Sequence, residues 1–207
     1  MIWPPPIRHN YKSIQVLRAR TKVAQARNGP RAAQRAAQRA WYSALHDGLT
    51  LLPNGEYFHA RLDQALGRTE PPHQALAVMY LNLDDFTQFI NTHGHDVGDE
   101  LLKMVAARML LVVRAEEMLS RLWDDEFACL VAGLPGKGQL SELADSLLRV
   151  LSTPLKIGLL DLYVHPNIGI ARWPVDGVSA AALLANAEFA MYLAKQHKTG
   201  FAFVHER

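Results

Sequence analysis

The sequence predicts an α+β domain with a mostly antiparallel central sheet flanked by helices, entered through a helical extension. Three observations carry this. Two strand-like apolar runs, 118–122 and 127–132, flank a tight polar junction and read as a hairpin. A second pair of such runs, 155–160 and 162–171, reads as another hairpin. Helical segments fall between them without the strict alternation of a doubly wound parallel sheet. No G-x-x-x-x-G-K or G-x-G-x-x-G loop is present, so neither common nucleotide fold is supported.

The elements follow in order. Residues 11–27 read as a basic helix that Asn28, Gly29 and Pro30 break. A helix resumes over 31–46, where Arg31, Arg35 and Arg39 share one face at four-residue spacing and the alanines favour helix. Asp47 to Gly55 is a loop, and Glu56 to Leu66 has helical periodicity. Ala75 to Leu83 is a nearly continuous apolar run, expected to be a buried strand. Phe86 to Asn91 is a short helix that Gly94 ends, and Asp96 to Arg114 is amphipathic, with Leu101, Leu102, Val105, Met109 and Val112 on one side. Lys137 to Leu151 is helical, and Pro166 implies an edge strand or a bulge in the second hairpin. Ser179 N-caps a helix running to Gln196, and Phe201 to Val204 closes the sheet.

Charge divides the chain. Residues 1–46 hold nine Lys or Arg and no acid, whereas residues 47–207 hold thirteen basic and twenty acidic residues. The organisation expected is a basic helical connector, 1–46, and a domain, 47–207. The connector reads either as a solvated helix or as an arm for an anionic partner, nucleic acid or membrane surface. A single cysteine, Cys129, excludes a disulfide framework or a zinc cluster within one chain. No run has the length of a transmembrane helix, and 1–7 lacks the apolar centre of a signal peptide, so a cytoplasmic location is expected.

The hairpin junction holds Trp123, Asp124, Asp125 and Glu126. Carboxylates crowded at a turn repel one another unless a cation or basic partner joins them. Small residues there would admit a phosphate to the backbone; Trp123 and Asp124 place an indole and a negative charge instead.

Five motifs in order resemble the GGDEF family, the diguanylate cyclase domain of bacterial cyclic-di-GMP signalling. DGLTLLPNG at 47–55 is similar to the family's D-x-L-T-G-L-P-N-R opening. Leu83 to Phe86 and Gly94 to Asp99 resemble its D-x-D-x-F-K and G-H-x-x-G-D segment. WDDEF at 123–127 occupies the signature, and NIGIA at 167–171 resembles S-I-G-I-A. Ala187-Glu188 and Ala194-Lys195 resemble its last helix. The resemblance implies a nucleotidyl-cyclase-like fold. It also implies a reaction in which two domains face each other, each 3′-hydroxyl attacks the partner's α-phosphate, and Mg²⁺ offsets the phosphate charge.

Carried over residue by residue, the resemblance exposes losses. The metal positions fall on Asn82, on the backbone carbonyl of Leu83 and on Asp125, so one anionic ligand is an amide. Trp123 and Asp124 replace the signature glycines, with Asp125 and Glu126 left as the residual catalytic signature. The phosphate-contacting lysine falls on Thr87, while Lys195 is kept. Guanine recognition falls on Ile90, where the family has asparagine, and on Asp99, which is retained. The product-inhibition motif falls on Arg114 and Glu117. Each missing contact costs roughly 1–3 kcal/mol.

The resemblance therefore implies a degenerate, catalytically inactive domain acting as a regulatory or interaction module, paired with itself or with another signalling protein. GTP and cyclic-di-GMP binding are expected to be weak or absent, and Mg²⁺ is expected only with bound nucleotide. The alternatives are an active diguanylate cyclase or a GTP- or cyclic-di-GMP-binding sensor. Without nucleotide, Asp99 and Lys195 are candidates to pair with each other, and Trp123 is either a cover over the pocket or an anchor for a partner.

Overall fold

The structure, a computed structural model, describes residues 32–37, 40–67, 76–133 and 136–205. The chain divides into two compact units, Met1–Ala44 and Leu45–Arg207. In the first unit, the described residues 32–37 and 40–44 are helical and exposed. The helix expected over 11–27 and its break at 28–30 lie outside the described residues.

The second unit is built on a five-stranded sheet. The strands are β1 (Leu76–Leu83), β2 (Met118–Trp123), β3 (Glu126–Ala132), β6 (Pro166–Trp173) and β7 (Phe201–Phe203), in the spatial order β2-β3-β1-β6-β7. All neighbours are antiparallel except β6 and β7. The helices are α1 (Gly55–Gly67), α2 (Phe86–His93), α3 (His95–Leu110), α4 (Lys137–Leu151) and α5 (Ala180–His197). The α+β sheet-and-helix class is thus observed.

β1 is buried along almost its whole length because both faces are covered. Ala77, Met79, Leu81 and Leu83 meet Phe127 and Cys129 beneath Leu101, Val105 and Leu147. Val78 and Tyr80 join Ala128 and Leu130 against Phe58, Leu62, Leu183 and Ala187. Each large side chain so buried contributes roughly 2 kcal/mol, which places stability in these two layers and leaves the strand ends free for other work. α5 lies directly on β6: a Cβ at Gly169 would sit 1.9 Å from the Ala187 carbonyl oxygen.

Local caps fit the sequence. The Asn54 side-chain oxygen accepts from Tyr57 N at 3.0 Å, and Ser179 Oγ accepts from Ala182 N at 3.2 Å. Gly94, at φ 87°, joins α2 to α3 in a conformation that favours glycine.

Three expectations are corrected. The amphipathic helix ends at Leu110, not Arg114. The amides of Leu111 and Val112 bond three residues back, tightening the last turn, and Arg114 N is taken by Glu117 Oε2 at 2.8 Å. The second hairpin joins β4 (Leu155–Ile157) to β5 (Leu160–Leu162), and β6 pairs with β1 instead. β6 is also no edge strand: Pro166 is its first residue, where a missing N–H costs little.

Candidate functional site

β1 and the β2–β3 hairpin end together, and that shared end gathers most of the candidate residues. Asn82 is opposite Glu126 on β3 and Asn167 on β6. The hairpin turns through Asp124 and Asp125, with Asp124 at φ 32°, a left-handed conformation that a non-glycine residue rarely holds.

Hydrogen bonds fix the carboxylates here. Asn82 Nδ2 donates to Asp125 Oδ2 at 2.9 Å. With an ionised Asp125 this is the only stable amide orientation, because the flipped amide would set oxygen against oxygen. The Tyr80 hydroxyl donates to Glu126 Oε2 at 2.6 Å. Burial, then the Glu126 carboxylate, pushes the Tyr80 phenol well above its ordinary range. Asp125 is half-buried, and burial raises its pKa, with the negative charges of Glu126 and Asp124 adding to the rise. The bonds that oppose the rise, from Asn82 among others, do not cancel it.

The turn is held from behind by a residue that sequence reasoning did not single out. Arg121 donates Nε and Nη2 to the Asp124 carbonyl at 2.8 and 2.6 Å. Its Nη1 reaches Asp47 Oδ1 at 3.0 Å and Oδ2 at 3.2 Å. Asp47 Oδ1 also accepts from Thr50 N and Oγ1, at 2.8 and 2.6 Å. Burial works to raise the Asp47 pKa, but the Thr50 and Arg121 bonds outweigh it and hold the carboxyl below its usual range. The signal available in sequence was the pairing of the 47–55 opening with an arginine two residues before Trp123.

Asn82, Leu83, Thr87, Asp125 and Lys195 line one cavity of about 480 Å³, with Asn91 beside them. Lys195 does not pair with Asp99: its Nζ lies 2.8 Å from Asp84 Oδ1, an ion pair without the geometry of a directed hydrogen bond. Asp84 directly follows β1, whereas Asp99 is exposed on α3. Neither Asp99 nor Ile90 lines this cavity; Ile90 packs against the core, and a Cβ on Gly98 would come within 3.0 Å of its Cγ1. Trp123 stands outside the cavity with 73 % of its surface exposed, so it is no cover for the pocket. The buried Asn167 Nδ2 has no hydrogen-bond acceptor among the described residues.

Arg114 and Glu117 line a separate groove of about 670 Å³ between the end of β3 and α4, where Glu116 and Glu142 add negative charge. Among the described residues no cluster of three or more His, Cys, Asp or Glu has the arrangement to hold a metal ion, and no helix is long and apolar enough to cross a membrane.

Comparison with known proteins places this geometry. Residues 44–200 match the family described as "Diguanylate cyclase, GGDEF domain". The bifunctional diguanylate cyclase/cyclic di-GMP phosphodiesterase MucR of Pseudomonas aeruginosa is 37% identical over 161 residues, which is 77% of this chain and 23% of MucR. The chain thus spans about a quarter of that relative's length. The solved GGDEF domain of TpbB from P. aeruginosa is 34% identical with a TM-score of 0.73, covering 77% of this chain and 94% of that one. A sensory box/GGDEF family protein from Caulobacter crescentus is 36% identical with a TM-score of 0.69, covering 74% of this chain and 99% of that one. With the family's model matched over residues 44–200 and solved GGDEF domains of 34% and 36% identity covered to 94% and 99%, the chain belongs to the GGDEF domain family of cyclic-di-GMP signalling.

Proposed function

We propose that this chain is a non-catalytic GGDEF domain that regulates through contact with another domain or protein. One observation carries the reading: the Asn82–Asp125 hydrogen bond. The two side chains that would share a divalent cation satisfy each other instead. The set of donors left for Mg²⁺ is one carboxylate, an amide turned nitrogen-first and the Leu83 carbonyl. Hard divalent cations require more anionic oxygen than that, so the residues fit a metal pair poorly. Asp84 supplies no extra ligand while Lys195 holds it, and Lys195 is correspondingly drawn from phosphate.

The rest of the site agrees. Asp124 adds charge against a triphosphate, Thr87 has no cation to offer, and Ile90 is committed to packing. The groove at Arg114 carries three glutamates against one arginine, which opposes the dianionic cyclic-di-GMP. In MucR, cyclase and phosphodiesterase activities occur in one protein; by analogy, a domain of this kind would act on a catalytic neighbour.

The test is incubation of the protein with GTP and Mg²⁺ or Mn²⁺, with cyclic-di-GMP followed by chromatography. We expect no product above the level of an Asp125→Ala variant. Turnover that disappears on Asp125→Ala would overturn the proposal in favour of a cyclase.

A further inference from the structure

Trp123 exposes most of an indole at a hairpin tip, and hydrogen bonds brace the backbone of that tip. Two guanidinium bonds from Arg121 hold the Asp124 carbonyl, and the same guanidinium is anchored on Asp47. These bonds brace Asp124 in its left-handed conformation, and the indole projects from the residue just before it. A braced backbone lowers the conformational freedom that the segment carrying the indole loses on binding.

The charge around it is one-sided. Asp124, Asp125 and Glu126 follow the indole directly. The cations near this end, Arg121 and Lys195, are each paired with another carboxylate, Asp47 and Asp84. The donors on Asp125 and Glu126 are a neutral amide and a neutral hydroxyl, so they satisfy hydrogen bonds without cancelling charge. An exposed indole beside carboxylates that form no ion pair among the described residues complements a planar cation. A guanidinium stacks its plane on the ring while donating to a carboxylate, and so uses both features of the tip at once.

We propose that the Trp123–Asp124 tip is a docking post for an arginine-bearing segment of a partner protein. This rests on the interaction-module reading and names its contact surface and the chemistry of its partner. Residues 8–39 of this chain, with seven arginines, two lysines and no acid, supply a segment of that chemistry as a probe.

The experiment titrates the full chain into a fluorescein-labelled peptide of residues 8–39 and reads anisotropy at low and physiological salt. Saturable binding is expected, weakened about tenfold or more by Trp123→Ser and several-fold by Asp124→Asn. A peptide with every arginine changed to lysine should bind about fivefold more weakly. Leu159→Ser, at an exposed residue of the β4–β5 turn, should leave the affinity unchanged. Circular dichroism checks that each variant folds. No saturable binding, equal affinity for Trp123→Ser, or equal affinity for the lysine peptide would each overturn the docking proposal. None of these outcomes moves the GTP turnover assay, so this proposal and the non-catalytic reading fail separately.

Discussion

At Asn82 a single atom type decides what the end of β1 can do. An amide nitrogen facing Asp125 cancels a repulsion that a second carboxylate would create. We expect Asn82→Asp to lower the melting temperature in metal-free buffer and to regain stability on adding Mn²⁺, whereas the native protein should show little metal response; paired thermal scans check this. Asp125 gives a pH signature. Its folded pKa is raised, so its ionised form is less favourable in the fold than in the unfolded chain. The associated stability is present below the unfolded carboxylate value, about 3.9, and is lost as pH rises through the folded value. Asp125→Asn should therefore stabilise the protein at pH 7, by less than about 1 kcal/mol for a half-buried group, and the gain should vanish in acid. Urea denaturation at pH 7 and pH 3.5 measures both arms. Asp47 runs the other way: its pKa is lowered, so its contribution is present above 3.8 and is lost as pH falls through the folded value.

Among the elements, two contacts set the geometry of the site. Arg121 ties the start of the domain to the hairpin, and its removal leaves Asp47 largely buried without its charge partner. We expect Arg121→Ala to cost roughly 1–3 kcal/mol in urea titrations and to loosen Trp123, seen as faster depolarisation of its fluorescence against a Trp123→Phe background. Gly169 keeps α5 against β6, and with it Lys195 near Asp84. Gly169→Ala places a methyl group into helix backbone that cannot rotate away. Loss of several kcal/mol, or failure to accumulate as folded protein, is the expected result in a solubility and melting assay.

Across the whole molecule, the sheet, the helices and the hairpin were legible because their apolar periods are long and Cys129, Phe127 and the β1 run leave no ambiguity about the core. The β4–β5 hairpin differs from the expected one because Leu155 to Ala171 is a mostly apolar stretch in which Lys156, Asp161 and His165 give no clean alternation, and periodicity cannot show where one strand yields to the next. The site positions were legible through motif order, which brought Asn82, Leu83, Thr87, Asp125 and Lys195 to one cavity. Their partners were not. Tyr80 with Glu126, Lys195 with Asp84 and Arg121 with Asp47 are long-range pairs that no local spacing announces. At this scale the non-catalytic reading predicts that 1 mM GTP with Mg²⁺ leaves the melting temperature unchanged. A ligand at ten times its Kd would add about 1.4 kcal/mol, a shift that differential scanning fluorimetry resolves.

The Asn82 and Tyr80 bonds bear on what it would take to engineer cation binding into this hairpin. Replacing Trp123 and Asp124 by glycine would open the turn yet leave both hairpin carboxylates held by β1. Cation chemistry at this end would need a change inside the central strand as well, at a position opposite both Glu126 and Asn167. On the non-catalytic reading proposed above, neither change suffices without the other, so a single substitution at the turn or in β1 is expected to leave Mg²⁺ unbound.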